Sequence, residues 1–106
     1  MSISERPLPI HAPMNQFDTR DGQLLVGGIP IQRLAARVGQ TPFYAYDRQL
    51  LISRVAEICA TLPTTIKLHY AMKANPLPAL VGVMVGLVDG IDVASGGELK
   101  VALDAG

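Results

Sequence analysis

From Asp47 onward the chain alternates helix, strand, helix, strand, helix, and this order leads to parallel strands joined by helical crossovers. Asp47 is a suitable N-cap for the first of these helices. Leu50, Leu51, Val55, Ile58, Cys59 and Leu62 then recur at the spacing of one helical face until Pro63 stops it. A strand is expected over 66–72, with Ile66, Leu68, Tyr70 and Met72 on one face and Lys67, His69, Ala71 and Lys73 on the other. Asn75-Pro76 ends it and opens a second helix over 76–87, apolar nearly all round, where Gly82 and Gly86 permit close packing. A second strand over 90–95 places Ile91 and Val93 on one face, Asp92 and Ala94 on the other. Ser95 and Glu98 form the S-x-x-E pattern of a capping box at the start of a third helix, which Gly106 is placed to end.

Two parallel strands cannot close a barrel or supply both layers of an open sheet, so the pattern reads as the first two strand–helix units of a (β/α)₈ TIM-type barrel, in a truncated chain. In such a barrel the apolar parity faces the helices and the other parity faces the axis. Lys73 and Asp92 then lie on the inward parity near the C-terminal strand ends, where the active sites of these barrels are built. A buried lysine needs a counter-ion or a chemical use. Schiff-base formation is one such use, because it takes a neutral amine and removes the buried charge. On spacing alone, a solvated strand-end lysine paired with Asp92 accounts for the same residues. His69, deeper along the strand, reads as a hydrogen-bonded core histidine. Ser95-Gly96-Gly97 at a helix start could cradle an anion, but the capping box explains it without a ligand. No metal-binding spacing is present.

The first half is less patterned. Residues 1–16, with Pro7, Pro9 and Pro13, read as a mobile N-terminal tail, and His11 within it as solvated. Asp21-Gly22 is a turn dipeptide before a short strand at 23–26, which Gly27-Gly28 stops. Pro30 can start a helix through Ile31, Leu34, Ala35 and Val38 that Gly39 caps, and 41–46 reads as extended chain. Nine basic residues balance nine acidic ones, which leaves no field to attract nucleic acid or an anionic membrane. The apolar run 80–88 is too short to span a bilayer, and the N-terminus lacks the pattern of a signal peptide. A cytoplasmic protein is expected. Cys59, the single cysteine, is expected to pack in the core.

Tyr70-Ala-Met-Lys-Ala-Asn75, followed by Gly90-Ile-Asp-Val-Ala-Ser-Gly-Gly-Glu-Leu99 and preceded by Thr41-Pro-Phe-Tyr-Ala-Tyr-Asp47, resembles the pyridoxal-phosphate-dependent ornithine/diaminopimelate/arginine decarboxylases of the alanine-racemase-like fold. Asp21-Gly-Gln-Leu-Leu-Val-Gly-Gly-Ile-Pro30 is similar to the start of a diaminopimelate decarboxylase. The N-terminal extension, Met72 and Val88 also resemble the exosortase-associated decarboxylases. The resemblance implies the N-terminal portion of a carboxy-lyase, with pyridoxal 5'-phosphate as a Schiff base on Lys73, Ala71 beside the cofactor ring and Asp92 near the lysine. It also implies that Glu98 lies near the site.

The same resemblance implies that 17–46 leads from a second, mainly β domain into the barrel, that 47–106 begins the cofactor-binding barrel domain, and that the strand at 23–26 is left without its partners. A small amino-acid substrate and a homodimer of the full-length protein are further implications. The phosphate loop and the residues that select the substrate are expected beyond Gly106, so the 106-residue chain alone is expected to be inactive. A racemase of the same fold and a non-catalytic cofactor-binding homologue or fragment are the alternatives.

Overall fold

The computed structural model describes residues 6–10, 12–13 and 15–106, and the chain divides into two compact units, one ending at Tyr44 and the other running from Ala45 to Gly106.

In the first unit, β1 (Thr19–Arg20), β2 (Gln23–Val26) and β3 (Ile29–Pro30) form an antiparallel sheet in the order β1-β2-β3. Each connection is a two-residue turn. Asp21-Gly22 has φ of 52° and 75°, and Gly27-Gly28 has φ of 60° and 76°, so both turns are of the left-handed kind whose twist matches the flanking strands. The strand at 23–26 is therefore not left without partners. Its neighbours on both sides are short strands that the turn dipeptides fold back upon it, pairing Thr19 with Leu24 and Val26 with Ile29. Leu25 and Val26 are buried. Helix α1 (Ile31–Val38) starts directly after Pro30 and ends at Gly39, whose φ of 80° lets its N–H donate to Ala35 O at 2.9 Å. Residues 41–46 have no helix or strand, and the chain bends at Thr41 and Pro42, where the extended reading expects no bend. In the opening stretch, 6–10, 12 and 13 are exposed without regular structure, and His11 lies outside the described residues.

The second unit begins with α2 (Arg48–Thr61). The Asp47 carboxylate accepts from Gln49 N at 2.9 Å and Leu50 N at 3.3 Å, which satisfies two of the free donors at the helix start. The predicted apolar stripe is only partly covered. Val55 is buried, but Cys59 is exposed and borders a shallow depression with Leu68 and Asp89, so the core role expected for its thiol does not hold.

Strands β4 (His69–Ala71) and β5 (Gly90–Asp92) pair in parallel through α3 (Pro78–Val85), and α4 (Gly96–Ala105) follows and packs on α3. The α/β alternation is thus observed. Val55, Leu80 and Met84 form the core with Leu51, Leu68, Tyr70, Leu87, Val88 and Ile91 around them. Leu68, Tyr70 and Ile91 therefore meet the helices, as their parity requires. Met72 and Val81 are fully buried, each contributing about 1.5–3 kcal/mol by removal from water.

The strand expected over 66–72 is shorter than its sequence pattern. Its partner β5 offers three residues, which limits the ladder. On the N-terminal side, the Leu68 N–H donates to the Asp89 carboxylate at 2.8 Å and the Leu68 carbonyl accepts from Asp89 N at 2.8 Å, while Ile66 N turns back to Pro63 O. Ile66 and Val93, expected under the helices, are instead exposed, since both lie outside the paired segment. On the C-terminal side, Met72–Ala74 forms a 3₁₀ turn closed by Asn75 N on Met72 O at 3.1 Å. The helix expected from 76 starts at Pro78, because the Asn75 side chain accepts from Leu77 N at 3.1 Å and holds the chain in a turn for two more residues.

Candidate functional site

Lys73 occupies the middle of the 3₁₀ turn directly after β4, two residues past Ala71, and not the strand face on which the sequence pattern sets it. The turn is fixed from both ends. Met72, before the lysine, is fully buried, and Asn75, after it, gathers three hydrogen bonds besides the one its N–H gives to Met72 O. The Asn75 side-chain amide donates to the Tyr46 hydroxyl at 2.9 Å, its side-chain oxygen accepts from Leu77 N, and its carbonyl accepts from the Tyr70 hydroxyl at 2.7 Å. Burial pushes the Tyr70 phenol above its ordinary range, helped by the nearby Tyr46 and partly opposed by the Asn75 backbone, so Tyr70 stays protonated at neutral pH and serves as a donor. The sequence reading attached no role to Tyr46, Tyr70 or Asn75. The signal for them was an aromatic immediately before the α2 N-cap and an asparagine at the end of the lysine turn, and neither specifies a partner.

The side chain of Lys73 is exposed and forms no ion pair among the described residues, whereas Lys100 is bonded to Asp104 at 3.3 Å. Two expectations change as a result. In this 106-residue chain the lysine is exposed, and the Asp92 carboxylate is not paired with it. The Asp92 carboxylate is taken by His69, whose Nδ1 lies 3.0 Å from Asp92 Oδ1. In this 106-residue chain His69 is accordingly exposed. It sits on the exposed face of the two-stranded sheet, because the parity that buries Tyr70 and Leu68 turns His69 and Ala71 the other way. Ala71 and Asp92 are cross-strand partners in the register, so the small residue and the carboxylate lie side by side at the C-terminal strand ends, next to the turn that carries Lys73.

At the start of α4, Ser95 Oγ accepts from Glu98 N at 3.1 Å and the Glu98 carboxylate accepts from Ala94 N at 3.1 Å. Glu98 reaches one residue further back than in the standard box, which expects it at the N-cap N–H. The helix start is thus already supplied with a carboxylate, and Ser95-Gly96-Gly97 acts as a cap.

A primary amine free of ion pairs, held on a braced turn at a strand end with a small residue and a carboxylate beside it, has the donor set for condensation with a carbonyl compound. A family model described as pyridoxal-dependent decarboxylase, pyridoxal binding domain, matches residues 48–106. The chain belongs to this family. The match contains Lys73, Ala71 and Asp92. Among curated proteins, the chain is similar to diaminopimelate decarboxylase of Aquifex aeolicus, with 38% identity over 85% of this chain and 21% of the relative. It is similar to the enzyme of that name from Pseudomonas aeruginosa at 34% identity over 88% of this chain and 22% of the relative. The Bacteroides thetaiotaomicron enzyme of that name is 37% identical over 76% of this chain and 21% of the relative. No solved structure matches. The chain spans about a fifth of the length of these relatives.

The residues present fit one end of pyridoxal phosphate. Lys73 would supply an exposed amine for the aldehyde, with the small side chain of Ala71 on the strand before it. At the start of α4, Ser95 caps the helix and the Glu98 carboxylate bonds Ala94 N just before it. Among the described residues, no helix is long and apolar enough to cross a membrane.

Proposed function

We propose that this chain is the N-terminal portion of a pyridoxal-phosphate-dependent amino-acid decarboxylase of the diaminopimelate type, with Lys73 as the attachment point of the cofactor. The observation that carries the reading is the Lys73 amine, without an ion-pair partner among the described residues, on a turn braced by Met72 and Asn75 inside the segment that matches the pyridoxal binding domain. The substrate class comes from the curated relatives, all three of which are named for diaminopimelate.

When bound, pyridoxal phosphate supplies an electron sink for the bond broken at the substrate's α-carbon. The chain's own residues have three tasks. Met72 and Asn75 hold the Lys73 backbone so that the amine returns to one place, Ala71 keeps the strand flank low, and Asp92 provides a negative charge at the strand ends. In the overall reaction, one carboxylate of diaminopimelate leaves as carbon dioxide and a proton takes its place at the α-carbon, which yields lysine. In this proposal the second unit begins a (β/α)₈ barrel, residues 17–46 lead into it from a mainly β domain, and the full-length protein is a cytoplasmic homodimer.

The test is carbon dioxide release from diaminopimelate by the full-length protein. Lys73→Ala is expected to lower the rate by about 10³-fold or more, as removal of a covalent catalytic group does. Exchange of the α-hydrogen without carbon dioxide release would instead indicate a racemase, and neither reaction would indicate a non-catalytic homologue.

A further inference from the structure

On the face of the β4–β5 pair that carries Ala71, His69 and Gly90 are cross-strand partners, and Ala71 and Asp92 are the next pair along that face. The His69 ring lies directly over Gly90. A Cβ built on Gly90 would be 2.8 Å from Cε1 of the ring and 3.0 Å from each ring nitrogen, closer than real side chains approach. Gly90 has no positive φ, so its backbone does not require glycine, whereas the ring above it does. From that seat His69 Nδ1 reaches diagonally across the strands to Asp92 Oδ1 at 3.0 Å. An ionised carboxylate only accepts, so Nδ1 carries the hydrogen in this contact and the ring orientation is specified.

In this 106-residue chain both side chains are largely exposed, at 49% and 65%, and a pair so open to water adds little to its stability. Orientation is a different matter. A lone aspartate at a strand end samples several rotamers, and a donor held in a fixed seat selects one of them.

We infer that His69, seated over Gly90, is a positioning residue that fixes the Asp92 carboxylate toward the cofactor site next to Lys73. The inference rests on the cofactor reading above, and it adds a residue that acts only through Asp92. It therefore predicts coupling. Removing the Nδ1 donor should matter while Asp92 is present and should cease to matter once the carboxylate is gone.

The test measures pyridoxal phosphate affinity of the full-length protein by fluorescence titration of its cofactor-free form. His69→Phe keeps a ring over Gly90 and removes the donor, and His69→Asn places an amide nitrogen near the position of Nδ1. His69→Phe is expected to weaken binding roughly fivefold, the scale of a coupled contact, and Asp92→Asn at least as much. The double variant should bind no more weakly than Asp92→Asn alone, and His69→Asn should recover to within about twofold of the unaltered protein. Should His69→Phe fail to fold, Gly90→Ala replaces it in the cycle, since a methyl group there displaces the ring from its seat. An equal loss from His69→Phe with and without Asp92, or no loss in either background, overturns the inference. Borohydride labelling runs in parallel. Labelling at Lys73 without coupling overturns the positioning role alone, and coupling without labelling at Lys73 overturns the attachment point alone.

Discussion

The two units use glycine for opposite reasons. In the first, Gly28 has a φ of 76° and nothing within 4 Å of where a Cβ would stand, so the turn needs the residue's backbone and not its small size. In the second, Gly90 has no positive φ but lies against the His69 ring, so the sheet needs the space and not the backbone. The first unit is built from contacts between near neighbours along the chain, with strands closed by two-residue turns. The second depends on partners more than twenty residues apart, Leu68 with Asp89 and His69 with Asp92. Local geometry can be read from adjacent residues, while distant pairing depends on what the partner strand offers.

The largest effect expected from breaking this contrast lies in the second unit. Met72 is fully buried beside the lysine turn, so Met72→Ala should cost about 2–5 kcal/mol in denaturant unfolding of the full-length protein and weaken cofactor retention as well. A cost below about 1 kcal/mol would mean that the turn is not anchored by this side chain.

Gly28→Ala comes next. Its methyl group meets no atom of the described residues, so the cost is that of the left-handed backbone, about 1–2 kcal/mol, with cofactor binding unchanged. A larger loss, or a change in cofactor binding, would show that the first unit does more than close its own sheet.

Asn75→Ala should have the smallest effect on stability, about 1 kcal/mol, because the hydrogen bonds to Tyr46 and Leu77 N are near solvent. The Tyr70 bond is made to the Asn75 carbonyl and survives the substitution. Its sharper readout is the lysine turn: imine formation by the full-length protein should slow more than stability falls.

Much of the fold was legible because it is written locally. Asp21-Gly22 and Gly27-Gly28 gave the turns, Asp47 the start of α2, Gly39 the end of α1, and the alternation after Asp47 the α/β order. The residues proposed for the site stand out in the sequence through the motif around Lys73, and the parity that sets Ala71 and Asp92 on one face holds in the β4–β5 register. Their contacts were not legible. The pattern over 66–72 continues past both ends of a strand whose length is set by β5, which put Lys73 in a turn and left Ile66 exposed. Charge alone suggested Lys73 as the partner of Asp92, but His69 is already seated beside that carboxylate because Gly90 makes room. Hydrophobic spacing likewise put Cys59 in the core, although the stripe of α2 extends beyond what covers it.

The central claim, that Lys73 is where the cofactor attaches, is tested most directly by borohydride reduction of the full-length protein loaded with pyridoxal phosphate, followed by peptide mapping. The lysines of this segment are Lys67, Lys73 and Lys100. A stable pyridoxyl adduct is expected on Lys73, within the peptide that carries Tyr70 and Asn75, and is expected to be lost in Lys73→Ala. An adduct on Lys67 or Lys100, or labelling unchanged by Lys73→Ala, would contradict it.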